Sequence, residues 1–441
     1  MSKLNKILRA FTHEGAKGKR FTPEMELKRT LMNCLLWESQ FYEDGVSLAD
    51  RIKALVPQVE PARVAALAIE AREQMKLRHA PLLIVREMAR HDTHRTLVAD
   101  TLARVIQRPD EMTELLAIYW ADALGPMQQR KRQPVSAQIK KGLARAVTKF
   151  DAYQLAKYDR DGAVRIRDVL FLVHAKPKDT DQAKIWKDLV DGTLASPDTW
   201  EVALSSGKDK AQTFERLIAD RKLGGLALLR NLRLMQKAGV AKDTIAKAIE
   251  AMRTDRILPY RFISAARYAP DFEPELEGAM LKSIPGHARL SGRTKLLIDV
   301  SGSMDAPLSA QSEMTRLEAA CGLAILAREI CDDVEIFTFS QKVVKVPPRR
   351  GFALRDAIVT SQPHGGTYLG AAVKEIDAKG VRLIVFTDEQ SHDAVSAPKG
   401  KGTIINVASY QHGVGHGDWS RVDGFSEAVI AWIAASEETK H

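Results

Sequence analysis

The chain has 441 residues, a formal net charge of +10, 45% apolar residues and 28% charged residues. That length exceeds what one hydrophobic core organises, so two or three domains are expected, and the composition is that of a globular protein, not of a fibrous or disordered one. No apolar run approaches the roughly 20 residues that span a bilayer, and the opening Met1-Ser2-Lys3-Leu4-Asn5-Lys6 lacks the apolar core of a secretory signal, so a cytoplasmic protein without a membrane partner is expected.

The positive charge is unevenly placed. From Gly286 onward 17 Lys and Arg stand against 19 Asp and Glu, leaving 49 against 37 in the first 285 residues. The whole surplus lies in the N-terminal part, which suggests a polyanionic partner, because Lys and Arg that neutralise phosphates release counterions. Cys34, Cys321 and Cys331 are widely spaced and form no Cys-x-x-Cys, so neither a disulfide framework nor a zinc site is indicated.

In chain order, residues 1–22 read as a basic, glycine-containing arm. From Thr22-Pro23 to about Ser283 nearly every segment has helical periodicity punctuated by Pro, Gly or Asp, including Glu24 to Trp37, Pro61 to Lys76, Pro81 to Arg90, Ala137 to Phe150 and Leu226 to Lys237. Short connections between such helices suggest antiparallel pairs stacked as an α-solenoid. In Ala137 to Phe150 an apolar stripe of Ile139, Leu143, Val147 and Phe150 lies beside Lys141, Arg145 and Lys149, which recur every four residues, so one face can pack while the other meets phosphate. Arg130-Lys131-Arg132 precede this helix and Arg160, Arg165, Arg167, His174, Lys176 and Lys178 follow it. Arg230 and Asn231, inside Leu228-Leu229-Arg230-Asn231-Leu232, suit burial as well as they suit contact with RNA.

Residues 286–294 read as a linker, and residues 295–441 alternate strands and helices as a doubly wound sheet does. The run Leu296-Leu297-Ile298 is a buried strand leading into Asp299-Val300-Ser301-Gly302-Ser303. Three oxygen-bearing side chains thus alternate in the turn leaving a strand, and carboxylate and hydroxyl oxygens are hard ligands suited to Mg²⁺ or Mn²⁺. Downstream, His364-Gly365-Gly366-Thr367 precedes a helical segment and Leu383 to Phe386 is a second apolar strand running into Thr387-Asp388. Arg316 to Ile330 reads as a buried helix, Glu335 to Phe339 and Thr403 to Val407 as strands, and Phe425 to Ala435 as a closing helix. His412 and His416, in a glycine-rich stretch, read as a surface loop.

The Asp-x-Ser-x-Ser turn with its two later loops resembles the metal-ion-dependent adhesion site (MIDAS) of von Willebrand factor A domains. That resemblance implies five ligand positions, Asp299, Ser301, Ser303, Thr367 and Asp388, around Mg²⁺ or another divalent cation with one position open to an acidic ligand. A second resemblance covers most of the chain. Leu170 to Pro177, Trp200 to Leu204, Gly225 to Met235 and Pro259-Tyr260-Arg261-Phe262 resemble, in order, signatures of the TROVE module of the Ro family, where it is joined to such an A domain. The family implies a ring of HEAT-like repeats over residues 1–285, whose basic hole takes single-stranded 3′ ends of misfolded noncoding RNA and whose outer surface binds a small Y RNA. His174 matches a family position that contributes to Y RNA binding, and Lys157 falls where relatives carry a basic residue. Asp161 departs from the family by placing a carboxylate on that surface.

The sequence holds no phosphate-binding Gly-x4-Gly-Lys loop, no His-Glu-x-x-His and no Gly-x-Ser-x-Gly elbow, so no enzyme is expected. The expectation is a monomeric RNA-binding protein in noncoding-RNA quality control or decay, with an exoribonuclease or another acidic protein as partner at the metal. The alternative, of a different class, is a metal-dependent protein-interaction scaffold that assists an ATPase or chaperone complex without RNA.

Overall fold

A computed structural model describes residues 22–32, 45–120, 134–255, 257, 259–284, 289–308, 314–388, 391–407, 419–423 and 433. The arm at 1–21, the Arg130-Lys131-Arg132 cluster, Cys34, the loop with His412 and His416, and the closing helix apart from Ile433 lie outside those residues. The described residues form two compact units, one built from 23–31 and 46–209, the other containing 210–441.

The described residues of the first unit form helices and the segments that connect them. Its elements are α1 (Pro23–Met32), α2 (Gly45–Leu55), α3 (Pro61–Glu73), α4 (His79–Arg90), α5 (Arg95–Val105), α6 (Asp110–Trp120), α7 (Ala137–Val147), α8 (Ala152–Tyr158), α9 (Ile166–Val173), α10 (Thr180–Asp191) and α11 (Trp200–Ser205). Sequence cues set their ends: Glu60 accepts from the N–H groups of Ala62 and Arg63 at the start of α3, Ser136 from Ile139 at the start of α7, and Asp151 forms a reciprocal cap with Gln154 on α8. The longer helices bury apolar stripes, for example Val98 and Leu102 of α5 against Ile139, Leu143 and Val147 of α7. The α5–α7 contact is close because Gly142 has no side chain: a Cβ there would stand 2.9 Å from the Cβ of Leu102 and 3.1 Å from the Ala99 carbonyl. Across the same core Arg72 pairs with Glu111 at 2.5 Å, and Glu111 also accepts from the N–H groups of Gln107 and Arg108. That full satisfaction is what lets both charges lie buried.

Among the described residues the second unit contains α12 (Lys210–Ala219), α13 (Gly225–Ala238), α14 (Lys242–Ala251), α15 (Pro259–Tyr268) and α16 (Glu273–Ser283), followed by a six-stranded sheet and three further α-helices. The strands are β1 (Leu290–Asp299), β2 (Cys331–Phe339), β3 (Val343–Lys345), β4 (Arg382–Thr387), β5 (Gly402–Asn406) and β6 (Ser420–Asp423), and the helices are α17 (Arg316–Ile330), α18 (Gly351–Val359) and α19 (Leu369–Ile376). The helices from Lys210 to Ser283 thus fold with the sheet, and residues 290–294, read as linker, are the first residues of β1. α15 packs on α17 and α16 on α18. Glu277 of α16 accepts from the Phe352 N–H at 2.7 Å, which leaves no room for a side chain at Gly351, whose φ is +52°.

The sheet order is β3-β2-β1-β4-β5-β6, parallel except for the β2–β3 hairpin. Leu297, Leu383, Val385 and Ile404 pack with Leu369 and Val373 of α19 on one face. The alternation along β1 turns Leu296 and Ile298 to the other face, where α17 lies against β1, β2 and β4. Helices on both faces bury the central strands, so these read as nearly unbroken apolar runs.

Candidate functional site

The chain direction of the sheet reverses between β1 and β4, since connections from β1 run outward to β2 and those from β4 run the other way to β5. At such a switch point the loops leaving the two strands diverge and open a crevice at their carboxyl ends. Asp299 ends β1 and Asp388 directly follows β4, so both carboxylates stand at this crevice, and both are 0% exposed.

Each carboxylate is held differently. Asp299 accepts from the Ser301 N–H at 2.8 Å and from the Thr387 hydroxyl at 2.6 Å, the latter across the β1–β4 edge. Asp388 accepts from Arg316, the first residue of α17, at 2.9 Å, and the same guanidinium nitrogen donates to the Ser303 carbonyl at 3.2 Å. Burial, and next the nearby Asp388 charge, push the Asp299 carboxyl up to about 7, against the hydrogen bonds from Ser301 and Thr387. A buried carboxylate so disfavoured in its charged form is one that a bound cation would stabilise.

The hydroxyls complete the set. Ser301 and Ser303 place their Oγ atoms 3.2 Å apart, Ser303 within the short turn Gly302–Asp305. The loop carrying Thr367 is clamped to the end of β2: the Ser340 hydroxyl accepts from the Gly365 N–H at 2.8 Å and donates to the Gly366 carbonyl at 3.1 Å, while Tyr368 N–H donates to the Ser340 carbonyl. Gly302 N–H donates to the Gly365 carbonyl at 3.1 Å, tying this loop to the Asp-x-Ser-x-Ser turn. Beside it, His392 donates its N–H to the Thr367 carbonyl at 2.9 Å and stacks its ring on Tyr368 at 5.4 Å. His364 lies between the Asp305 carboxylate, 2.9 Å from Nδ1, and the Val359 carbonyl, 3.1 Å from Nε2. Burial works to lower its pKa, but those two acceptors outweigh it and the pKa is raised.

The turn after β1 and the loop before α19 are therefore bonded to one another, and Asp388 is joined to Ser303 through Arg316. The donor set of two carboxylates and hydroxyls suits a hard divalent cation that keeps part of its water shell. Among the described residues no group of three or more His, Cys, Asp or Glu is gathered for a metal. Sequence reasoning passed over Arg316, Thr387, Ser340 and His392. Thr387 had a signal, its place beside Asp388 at the end of an apolar strand, whereas Arg316 looked like an ordinary helix-start residue.

The basic residues named in the first unit have diverse settings. Lys141 is exposed on α7. Arg145 pairs with Asp100. Lys149 turns its ammonium onto the carbonyls of Ala103 and Ile106 at the end of α5, and desolvation there lowers its pKa. Lys157 lies 5.8 Å from the rings of both Tyr153 and Tyr158. His174 is the exposed left-handed residue that ends α9, with φ 50°. Lys176 is exposed two residues on, and Asp161 pairs with Arg165 at 3.3 Å. In the second unit Asn231 is buried and donates to the Ala227 carbonyl at 2.8 Å, whereas Arg230 is exposed.

Helices over most of the chain, joined to a doubly wound domain with a buried acidic, hydroxyl-bearing crevice at its switch point, define the class. Within it, residues 186–318 match the family model of the TROVE domain. The matched stretch contains the Trp200, Gly225 and Pro259 signatures and the Asp299-to-Ser303 turn. The fold is similar to the crystal structure of the RO (RSR) protein of Deinococcus radiodurans, with a TM-score of 0.66 and 19% identity over 95% of this chain and 100% of that one. No curated protein matches the chain. Among the described residues no helix is long and apolar enough to cross a membrane.

Proposed function

We propose that the chain is an RNA-binding protein of the Ro type, and the TROVE match over residues 186–318 is the observation that carries this reading. Its helical region, of HEAT-like repeats closed as a ring, takes small structured noncoding RNA resembling Y RNA and the single-stranded 3′ ends of misfolded RNA. The N-terminal excess of Lys and Arg supports this, because single-stranded RNA is held through its backbone by cations with little sequence reading. Exposed Lys141, His174 and Lys176, and Lys157 beside Tyr153 and Tyr158, are the groups best placed to meet phosphate and base.

The sheet domain is of the von Willebrand factor A type, with Asp299, Ser301, Ser303, Thr367 and Asp388 as the set that would hold Mg²⁺. Bound there, the cation would offer a coordination position to a carboxylate of an acidic partner, an exoribonuclease in the RNA-decay reading. The chain itself acts as a monomeric cytoplasmic binding protein and not as an enzyme. The test is purification under gentle conditions from native cells, an ultraviolet absorbance ratio, and sequencing of the co-purified nucleic acid. A discrete small structured RNA is expected, with affinity that falls steeply as salt rises. Nucleic-acid-free protein whose partner dissociates in EDTA would favour the metal-dependent scaffold instead.

A further inference from the structure

Arg316 leads α17 directly after the capping Thr315, and this start of the helix delivers its guanidinium over the turn that leaves β1. One nitrogen, Nη1, bonds the Ser303 carbonyl at 3.2 Å and the Asp388 carboxylate at 2.9 Å. The Arg316 side chain is 13% exposed and that of Asp388 is 0% exposed. Ser303 and Asp388 are two of the five residues assigned above to the cation. A cation supplied by the chain itself already bridges them.

Asp299 is different: among the described residues its oxygens accept from Ser301 and from the Thr387 hydroxyl, which are neutral donors. The site therefore divides into a carboxylate already neutralised by the chain and one that is not. A guanidinium cannot relieve crowding by losing its proton, and two cations on one buried carboxylate repel strongly where water is scarce. The first turn of α17 adds the positive end of its helix to the same side.

We propose that Arg316 is an internal competitor for the divalent cation: the metal gains Asp388 only by displacing the guanidinium, so that Arg316 sets the affinity of the site and makes its loading reversible. This rests on the metal-site reading above. Metal entry would begin at Asp299, and displacement of Arg316 from Asp388 would free its guanidinium.

The experiment uses the full chain, titrated with MnCl₂ by calorimetry as wild type, Arg316→Met, Arg316→Lys and Asp299→Asn. Arg316→Met is expected to bind Mn²⁺ about tenfold tighter or more, the equilibrium value of one charge-assisted hydrogen bond, and Arg316→Lys to stay near wild type. In the wild type, modification of Arg316 by phenylglyoxal, read by mass spectrometry, is expected to be slow in EDTA and several-fold faster at saturating Mg²⁺, a readout that does not depend on how the Met variant folds. Equal or weaker binding by Arg316→Met while the wild type binds, or unchanged protection of Arg316 on metal binding, would overturn the competition and leave the metal site standing. Absence of binding in every protein, with Asp299→Asn indistinguishable from wild type, would overturn the site and the competition with it.

Discussion

The Thr387 hydroxyl donates to Asp299 Oδ2 at 2.6 Å, joining residues 88 positions apart across the β1–β4 edge where the sheet reverses. The bond is buried and helps to hold the Asp299 carboxylate at the crevice, yet the neutral donors of Ser301 and Thr387 do not replace the water lost. Burial and the Asp388 charge accordingly raise the carboxyl from 3.8 to about 7. Between those values the folded, metal-free chain holds a proton that the unfolded chain has released, so stability falls as pH rises through this window. Asp299→Asn removes the penalty: in EDTA at pH 8 it should be more stable than wild type by roughly 1–3 kcal/mol, with no such advantage near pH 4. Melting curves at the two pH values check the sign, and Mg²⁺ should raise the melting temperature of the wild type but not of the variant.

Asp393 is a cap supplied from outside its helix. Its carboxylate accepts from the N–H groups of Gly370 at 2.9 Å and Ala371 at 2.7 Å, at the start of α19, and from the Ser391 hydroxyl at 2.7 Å. Desolvation opposes the charge, but these donors outweigh it and hold the carboxyl below its ordinary value. Because the folded pKa is depressed, this contribution is present above the ordinary carboxylate range and is lost as pH falls through the folded value. Asp393→Ala should cost about 1 kcal/mol at neutral pH and less in acid. Hydrogen exchange at Gly370 and Ala371 should quicken in the variant, and unchanged exchange would refute the cap.

Much of this was legible in the sequence, for identifiable reasons. The strand ending at Asp299, the helix Arg316–Ile330 and the strand ending before Asp388 announce themselves, because buried parallel strands and helices give continuous apolar runs with polar residues at their ends. Arg316 was not legible as part of the site, since its role depends on the angle at which α17 leaves the turn, a tertiary property. Lys149 misled in the opposite sense. Its four-residue spacing from Arg145 puts it on a basic stripe, but the neighbouring end of α5 offers carbonyls within reach, and helix periodicity carries no information about a neighbouring helix. The boundary near residue 286 followed the change from helical to strand patterning, whereas compactness follows contacts, and α15 and α16 pack on α17 and α18.

Gly142 tests the α5–α7 contact. A methyl group there would stand 2.9 Å from Leu102 and 3.1 Å from the Ala99 carbonyl, and the backbone carbonyl cannot turn aside as a flexible side-chain end could. Although Ala is the better helix former, Gly142→Ala should therefore lose about 1–3 kcal/mol by overpacking. A lowered melting temperature is expected, and the double variant Gly142→Ala, Leu102→Ala should lose less than the sum of the two single losses, because the smaller side chain makes room for the methyl group. Stabilisation by the single variant would mean that the two helices sit further apart.

The α7 stripe separates charge that faces solvent from charge used by the fold. Lys141 is exposed, whereas Lys149 places its ammonium on the carbonyls of Ala103 and Ile106 that α5 leaves without helical partners. Lys141→Gln should thus lower RNA affinity and reduce the slope of log affinity against log salt by about 1, with no change in melting temperature, as loss of one phosphate contact requires. Lys149→Gln should do the reverse, costing about 1 kcal/mol of stability through the lost bonds at the end of α5 while leaving the salt slope in place. Filter binding of a single-stranded RNA across a salt series, run beside thermal melts of both variants, separates the two roles. A reduced slope for Lys149→Gln at unchanged stability would mean that its ammonium leaves α5 to meet phosphate when RNA binds.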